Sequence, residues 1–273
     1  MNRGFFTTTV RALVSNLLRK RTLVGNLVAR DFKQRYVGST LGWLWGAVHP
    51  AVLLLSYTFV FSLVFKVRPA ADSGTDNFPL YLFAGILPWL LFQETVQRSV
   101  TAVVDYSNLI TKSLFPSEVL PISLFLSGML NHLLGLLVLL AIVVFLVKKV
   151  TVFVLLLPVY VFLLALFTIG VSWLVSSLHV FLRDTAQALS IVLTFWFWFT
   201  PIFFSVEHLP ENLRFIARIN PLAYVVDAYR RCLLAGRAPA PADLALTAAF
   251  AFAAFIGGGL FFRYSKRAFG DVL

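Results

Sequence analysis

Three cations near the start of the chain are the first candidates for chemistry. Residues 27–45 read LVARDFKQRYVGSTLGWLW, so Arg30, Lys33 and Arg35 are followed at once by a stretch, 41–65, without a single Asp, Glu, Lys or Arg. Guanidinium and ammonium groups donate several charge-assisted hydrogen bonds to phosphate oxygens, so the trio suits a phosphate or pyrophosphate. At helical spacing Arg19, Asn26, Arg30 and Lys33 share one face, while Val24, Val28, Phe32 and Tyr36 form an apolar stripe on another. A helix of that kind lies in a membrane interface, apolar side down. Its basic face has two readings: a plain anchor, or a dock for an anionic lipid headgroup beside a lateral entrance. Arg35 lies closer to the stripe and ranks behind Arg30 and Lys33 in that role.

Other reactive side chains are sparse. Glu94 is the carboxylate set well into an apolar stretch, with Arg98 one turn on as an ion-pair partner. His132 lacks an acid neighbour in sequence and reads as a hydrogen-bonded packing residue. The carboxylates Asp72, Asp76, Glu207 and Glu211 have no spacing that makes them converge. Lone Cys232 excludes an intramolecular disulfide and a cysteine metal cage, though it supplies a native labelling probe. There is no G-x-x-x-x-G-K-[ST] loop, no H-E-x-x-H and no nucleophile elbow. The expectation is therefore no catalytic residue, no metal and no cofactor on this chain.

The elements that position these groups follow from run length. The 273 residues are 59% hydrophobic and 13% charged, against about 25% charged in soluble domains, which makes lipid the solvent. Charge-free runs cover 41–65, 77–93, 119–147, 150–182, 185–206 and 244–262, each near the ~20 residues a bilayer span needs. The predicted fold is an all-α integral membrane protein forming one domain, 1–273. It has an interface helix at 19–37 and six transmembrane helices at 41–66, 78–103, 118–147, 150–178, 186–205 and 243–263. No cleavable leader is expected, because the first 40 residues hold scattered cations and no compact apolar core. With the N-terminus inside, the inner segments hold fourteen of the 23 Lys and Arg: eight up to Arg35, then Arg98, Lys112, Arg183, Arg263, Lys266 and Arg267. That bias puts both termini in the cytoplasm. The net charge of +11 is assigned to the inner surface and anionic lipid, and nucleic acid is not an expected partner.

Three connections carry further signals. Residues 105–121, DYSNLITKSLFPSEVLP, predict a short helix capped by Ser107 and stopped by Pro116, either a plain loop or a handle for another subunit. In the second inner loop Arg183 stands beside Asp184, readable as a local ion pair. Residues 205–242 predict two short half-inserted helices, Pro210–Ile219 and Leu222–Ala235, within an outer gate at 209–236. Asn220-Pro221 starts the second and Gly236 ends it. Leu222, Val225, Val226, Tyr229 and Leu233 form its apolar face, and Asp227 can pair with Arg231. Gly257-Gly258-Gly259 permits close helix packing.

In order along the chain, RDFKQRYVGSTLGWLWGAVHPAVLLLSYTFVFS at 30–62, YLFAGILPWLLF at 81–92, LITKSLFPSEVLP at 109–121, VFLRD at 180–184, FWFTPIFF at 197–204 and NPLAYVVDAYRRCLL at 220–234 resemble the membrane subunit of type-2 ABC exporters. The resemblance is to the O-antigen (Wzm-type) polysaccharide branch, with capsule and teichoic-acid exporters as relatives. It implies a homodimer in the bacterial inner membrane, joined by two copies of a cytoplasmic ATPase chain that binds ATP and magnesium. It implies that the helix at 107–116 couples to that ATPase, through Ser107, Leu109, Lys112, Leu114 and Phe115, with Arg183 and Asp184 beside it. It implies a cargo of polysaccharide on undecaprenyl pyrophosphate, held at its lipid end by Arg30, Lys33 and Arg35. Trp196, Trp198, Tyr224, Asp227, Tyr229 and Arg231 are the channel and gate candidates. Two rival readings stay open, a small-lipid or drug exporter of the same superfamily and a membrane-bound transferase or hydrolase acting on lipid-linked sugar.

Overall fold

A computed structural model describes residues 20–40, 42–67, 69, 73–112, 115–147, 151–206 and 209–273. Among them every regular element is helical. Helix α1 spans Arg21–Tyr36, and α2 spans Trp45–Tyr57, continuing as a π-helical segment to Val64. Between them Gly38 takes the left-handed conformation (φ 78°), and the Ser39 hydroxyl accepts from the Gly42 amide at 3.2 Å. The break expected at Gly38-Ser39-Thr40 therefore has its cap.

Helix α3 (Phe78–Asp105) is the hub of the molecule. The Asn77 side chain accepts from Leu80 N at 3.2 Å, and Pro79 sits in the first turn, which together fix its start. It packs against α5 (Val119–Ile142), α6 (Leu157–Phe181) and α7 (Thr185–Phe199), and against α9 (Pro221–Arg230) at its N-terminal end. A short α4 (Ser107–Lys112) precedes α5 and an isolated α8 (Arg214–Arg218) precedes α9. Helix α10 (Pro241–Ser265) lies along α6, and α11 (Phe269–Val272) closes the described chain.

Glycine lets α6 and α10 touch backbone to backbone. A Cβ built on Gly258 would stand 2.0 Å from the Gly170 carbonyl oxygen, and one on Gly170 would stand 2.3 Å from that of Ala254. Gly257 has nothing within 4 Å. Of the three consecutive glycines, Gly258 carries the contact, and its partner Gly170 has no glycine neighbour in sequence to mark it.

Four helical stretches are long and apolar enough to cross a bilayer: Phe78–Asp105, Val119–Phe145, Val152–Phe181 and Pro241–Ala268. Two apolar helices, Pro50–Val64 and Thr185–Phe199, are shorter. The latter, at 15 residues, rises only about 22 Å against a hydrocarbon core of about 30 Å.

The connections sort to two ends. At one end Glu118 binds Lys266 (2.5 Å), the Glu118 carbonyl accepts from Trp173 Nε1 (2.9 Å), and Phe181 meets Phe269. The 105–118 connection, the 182–184 turn and the chain's last helices thus share that end. At the other, α9 packs across the N-terminal half of α3.

Candidate functional site

Helix α1 is fastened to α3 by four charges. Asp31 accepts from Arg35 Nε at 3.2 Å and from both terminal nitrogens of Arg98, Nη1 at 3.1 Å. Arg35 also donates to Glu94, and Arg98 lies 3.8 Å from that same carboxylate. Glu94 thus has Arg35 as its closer partner, where its own helix had suggested Arg98, because α1 packs alongside and brings a second guanidinium nearer. Burial opposes charge on Asp31, yet the hydrogen bonds from Arg98 and the charges of Arg98 and Arg35 hold its carboxyl below the usual carboxylate range.

The three cations therefore separate. Arg30 and Lys33 are exposed with Asn26 on one face, whereas Val24, Val28 and Phe32 turn toward the bundle. Arg19 and the Tyr36 side chain lie outside the described residues. Arg35 is only 13% exposed and is held by two carboxylates. Asp31 escaped the sequence reading, although Asp31–Arg35 and Glu94–Arg98 are both acid–base doublets four residues apart, a visible signal for pairing between helices.

Directly behind this cluster opens a cavity of about 610 Å³. Trp45, Pro50 and Tyr57 line it from α2, Gln93, Glu94 and Gln97 from α3, Asn131 and His132 from α5, and Thr194 and Phe197 from α7, with Arg35 at its mouth. His132 is fixed by contacts to the Leu87 carbonyl (3.3 Å) and the Tyr229 hydroxyl (2.8 Å), in keeping with a packing role. A cleft among apolar helices that offers amide, carboxylate and hydroxyl groups beside aromatic faces suits a ligand with hydroxyls and C–H surfaces. Gln93, Asn131 and Thr194 were missed, since single polar residues within apolar runs do not reveal which way they face.

The predicted channel and gate residues do not converge on this cavity. Trp196 donates to Asn220 Oδ1 at 2.9 Å and stands edge-on to Trp89, Phe92 and Phe167. Trp198 is exposed and stacks on Phe203. Tyr229 is fully buried against His132. Tyr224, Asp227 and Arg231 line a second, smaller pocket near α9, with Asp227 and Arg231 paired at 2.5 Å as their spacing predicts. Helix α9 starts at the Asn220 cap, whose side chain accepts from Leu222 N (3.1 Å), and its π-helical continuation ends at Gly236 in the left-handed conformation. The expected apolar face is buried throughout. The first of the two predicted half-helices is reduced to a 3₁₀ turn, Glu211–Leu213, and the five residues of α8.

In the 105–118 connection α4 begins at Ser107 itself, with the Tyr106 carbonyl accepting from Leu109 N (3.0 Å) and Ile110 N (3.1 Å). Tyr106, rather than Ser107, thus occupies the cap position, because the chain turns one residue earlier. Leu109 is exposed and Phe115 half-buried; Leu114 and the Lys112 side chain lie outside the described residues. Arg183 and Asp184 are both exposed, and among the described residues no ion pair joins them. Two neighbours at a helix start point apart, so the local pair suggested by adjacency does not form.

Apolar helices long enough to cross a bilayer, with a polar-lined cleft among them, define the membrane-embedded part of a transporter. The family model of the ABC-2 type transporter matches residues 22–234, well over half the chain, and the chain belongs to that family. It is similar to the O-antigen export system permease protein RfbA of Myxococcus xanthus, 30% identical over 261 residues, covering 95% of this chain and 98% of that protein. An RfbA of Klebsiella pneumoniae is 30% identical over 211 residues, covering 76% of this chain and 78% of that protein. The polysialic acid transport protein KpsM of Escherichia coli is 24% identical over 255 residues, covering 91% and 95%.

Proposed function

We propose that this chain is the channel-forming membrane subunit of an ATP-driven exporter that moves undecaprenyl-pyrophosphate-linked polysaccharide, of O-antigen type, from cytoplasm to periplasm. The observation that carries this reading is the cavity between α2, α3, α5 and α7, polar and aromatic inside and headed by the cations of α1. Full-length similarity to permeases named for O-antigen export supports the cargo class. The subunit works as a homodimer. Helices α2 and α7 both line the cavity and carry exposed apolar residues, among them Leu55, Phe59, Ile191 and Phe195, which a second copy would cover while closing the cleft.

Two copies of a separate ATPase bind ATP and magnesium and push on the 107–116 segment, with Arg183 and Asp184 beside it. Arg30 and Lys33 receive the pyrophosphate, and Arg35, once released from Glu94, follows the lipid end inward. Tyr224, Asp227 and Arg231 flank the exit, as part of the outer gate at 209–236. Six spans in the inner membrane leave both termini in the cytoplasm. Capsule-type polysaccharide is the second reading, favoured by the similarity to KpsM. The deciding experiment deletes the gene and examines lipid-linked glycan. Glycan accumulating on the inner face, cleared by restoring this chain together with its co-purifying ATPase, supports export. Glycan that still reaches the outer face without the chain rejects it.

A further inference from the structure

The smaller pocket, about 240 Å³, lies at the α9 end, walled by α9, the segment after α7 and the start of α10. Four arginines line it, Arg218, Arg230, Arg231 and Arg237, against two carboxylates, Asp227 and Asp243. Arg231 is matched by Asp227. Arg230 is 6% exposed and donates to the carbonyls of Tyr81 (3.3 Å), Pro201 (2.7 Å) and Ile202, with its guanidinium carbon 3.6 Å from the centre of the Tyr81 ring. Carbonyl dipoles and a ring face hold this group in place but bring no negative charge. Among the described residues no ion pair reaches Arg230, Arg218 or Arg237. Arg218 and Arg237 stand exposed at the rim. A buried, immobilised guanidinium with two more at the mouth is an arrangement that an anion would complete.

We infer that this pocket binds a phosphoryl group, with Arg230 as the fixed charge at its base and Arg218 and Arg237 closing from the rim. Phosphate suits it better than a carboxylate, because several guanidinium forks need an acceptor with three or more oxygens and close to two negative charges. The group can arrive on an anionic phospholipid headgroup or on a free phosphate compound. Exposed Phe215 and Ile219 flank Arg218 and give a lipid's acyl chains an apolar landing beside the charge.

The site stands apart from the export reading, and its test needs neither cargo nor ATPase. The purified chain is titrated with inorganic pyrophosphate in detergent, followed by thermal shift. In parallel it is passed through vesicles of phosphatidylglycerol mixed with phosphatidylcholine, and retained lipid is measured by native mass spectrometry. Protection by pyrophosphate supports a free phosphate ligand, and selective retention of phosphatidylglycerol supports a headgroup. In either arm R218Q/R237Q binds at least tenfold more weakly, while R183Q, far from the pocket, binds as wild type. No response in both arms, or undiminished binding by R218Q/R237Q, overturns the site.

Discussion

Asp31 occupies the inward side of a helix whose other inward residues are apolar, and a carboxylate survives there because two guanidiniums meet it. Its depressed pKa fixes the sign of the pH dependence: the stabilisation is fully present above the ordinary value of 3.8 and is lost as pH falls through the lower folded value. Asp31→Asn should therefore destabilise the detergent-solubilised protein by about 1.5–3 kcal/mol, the worth of hydrogen bonds to charged groups. The gap between wild-type and variant melting curves should stay constant from neutral pH to about pH 5 and narrow below 3.8. A gap unchanged down to pH 3 would show that Asp31 is not the titrating member of the cluster. On the opposite face, Arg30 and Lys33 are the exposed cations that the proposed function assigns to pyrophosphate. Charge-assisted contacts of about 1.5–3 kcal/mol each imply that Arg30→Gln with Lys33→Gln weakens capture on the order of 100-fold or more. Membrane insertion should survive while lipid-linked glycan builds up inside; normal export would leave the face as an anchor only.

At the scale of elements, the contact between α6 and α10 depends on two glycines, and the sequence disclosed half of it. A Cβ at position 258 has no room against Gly170, whereas one at 257 meets nothing. Gly258→Ala should cost about 1–3 kcal/mol or more as the helices are forced apart, and Gly257→Ala should be neutral, both read from thermal unfolding in detergent. Equal effects would mean that the helices meet on another face. The same contrast explains what was legible. Local chemistry was readable wherever one residue decides it: Gly38 and Ser39 at a break, Asn220-Pro221 at a start, Gly236 at a stop, Asp227 and Arg231 one turn apart. What required two elements to meet was not. Gly170 gains its role from Gly258, His132 from Tyr229, Glu94 from Arg35, and neither composition nor periodicity encodes which helices become neighbours.

For the whole molecule, the two cation-bearing regions lie at opposite ends, α1 against the C-terminal half of α3 and α9 across its N-terminal half. Fourteen of the 23 Lys and Arg belong to segments grouped with α1, a modest excess that orients that end toward the cytoplasm by the positive-inside rule. The excess rests largely on the first 35 residues, so orientation needs its own measurement. The natural Cys232 is 1% exposed, which removes it as the probe its position promised but leaves a quiet background for introduced thiols. Tyr224 is half-buried at the second pocket, and its hydroxyl contacts only the Arg218 carbonyl, so Tyr224→Cys spares the buried face of α9. With a membrane-impermeant maleimide on intact spheroplasts, Tyr224→Cys should label at once. Arg30→Cys, exposed on α1, should label only after permeabilisation. The reverse order would invert the molecule, placing α9 inside and detaching the α1 cations from any cytoplasmic cargo. Labelling of both without permeabilisation would place α1 and α9 on one side, which a helix as long as α3, about 42 Å at 1.5 Å per residue, does not permit if it crosses the bilayer.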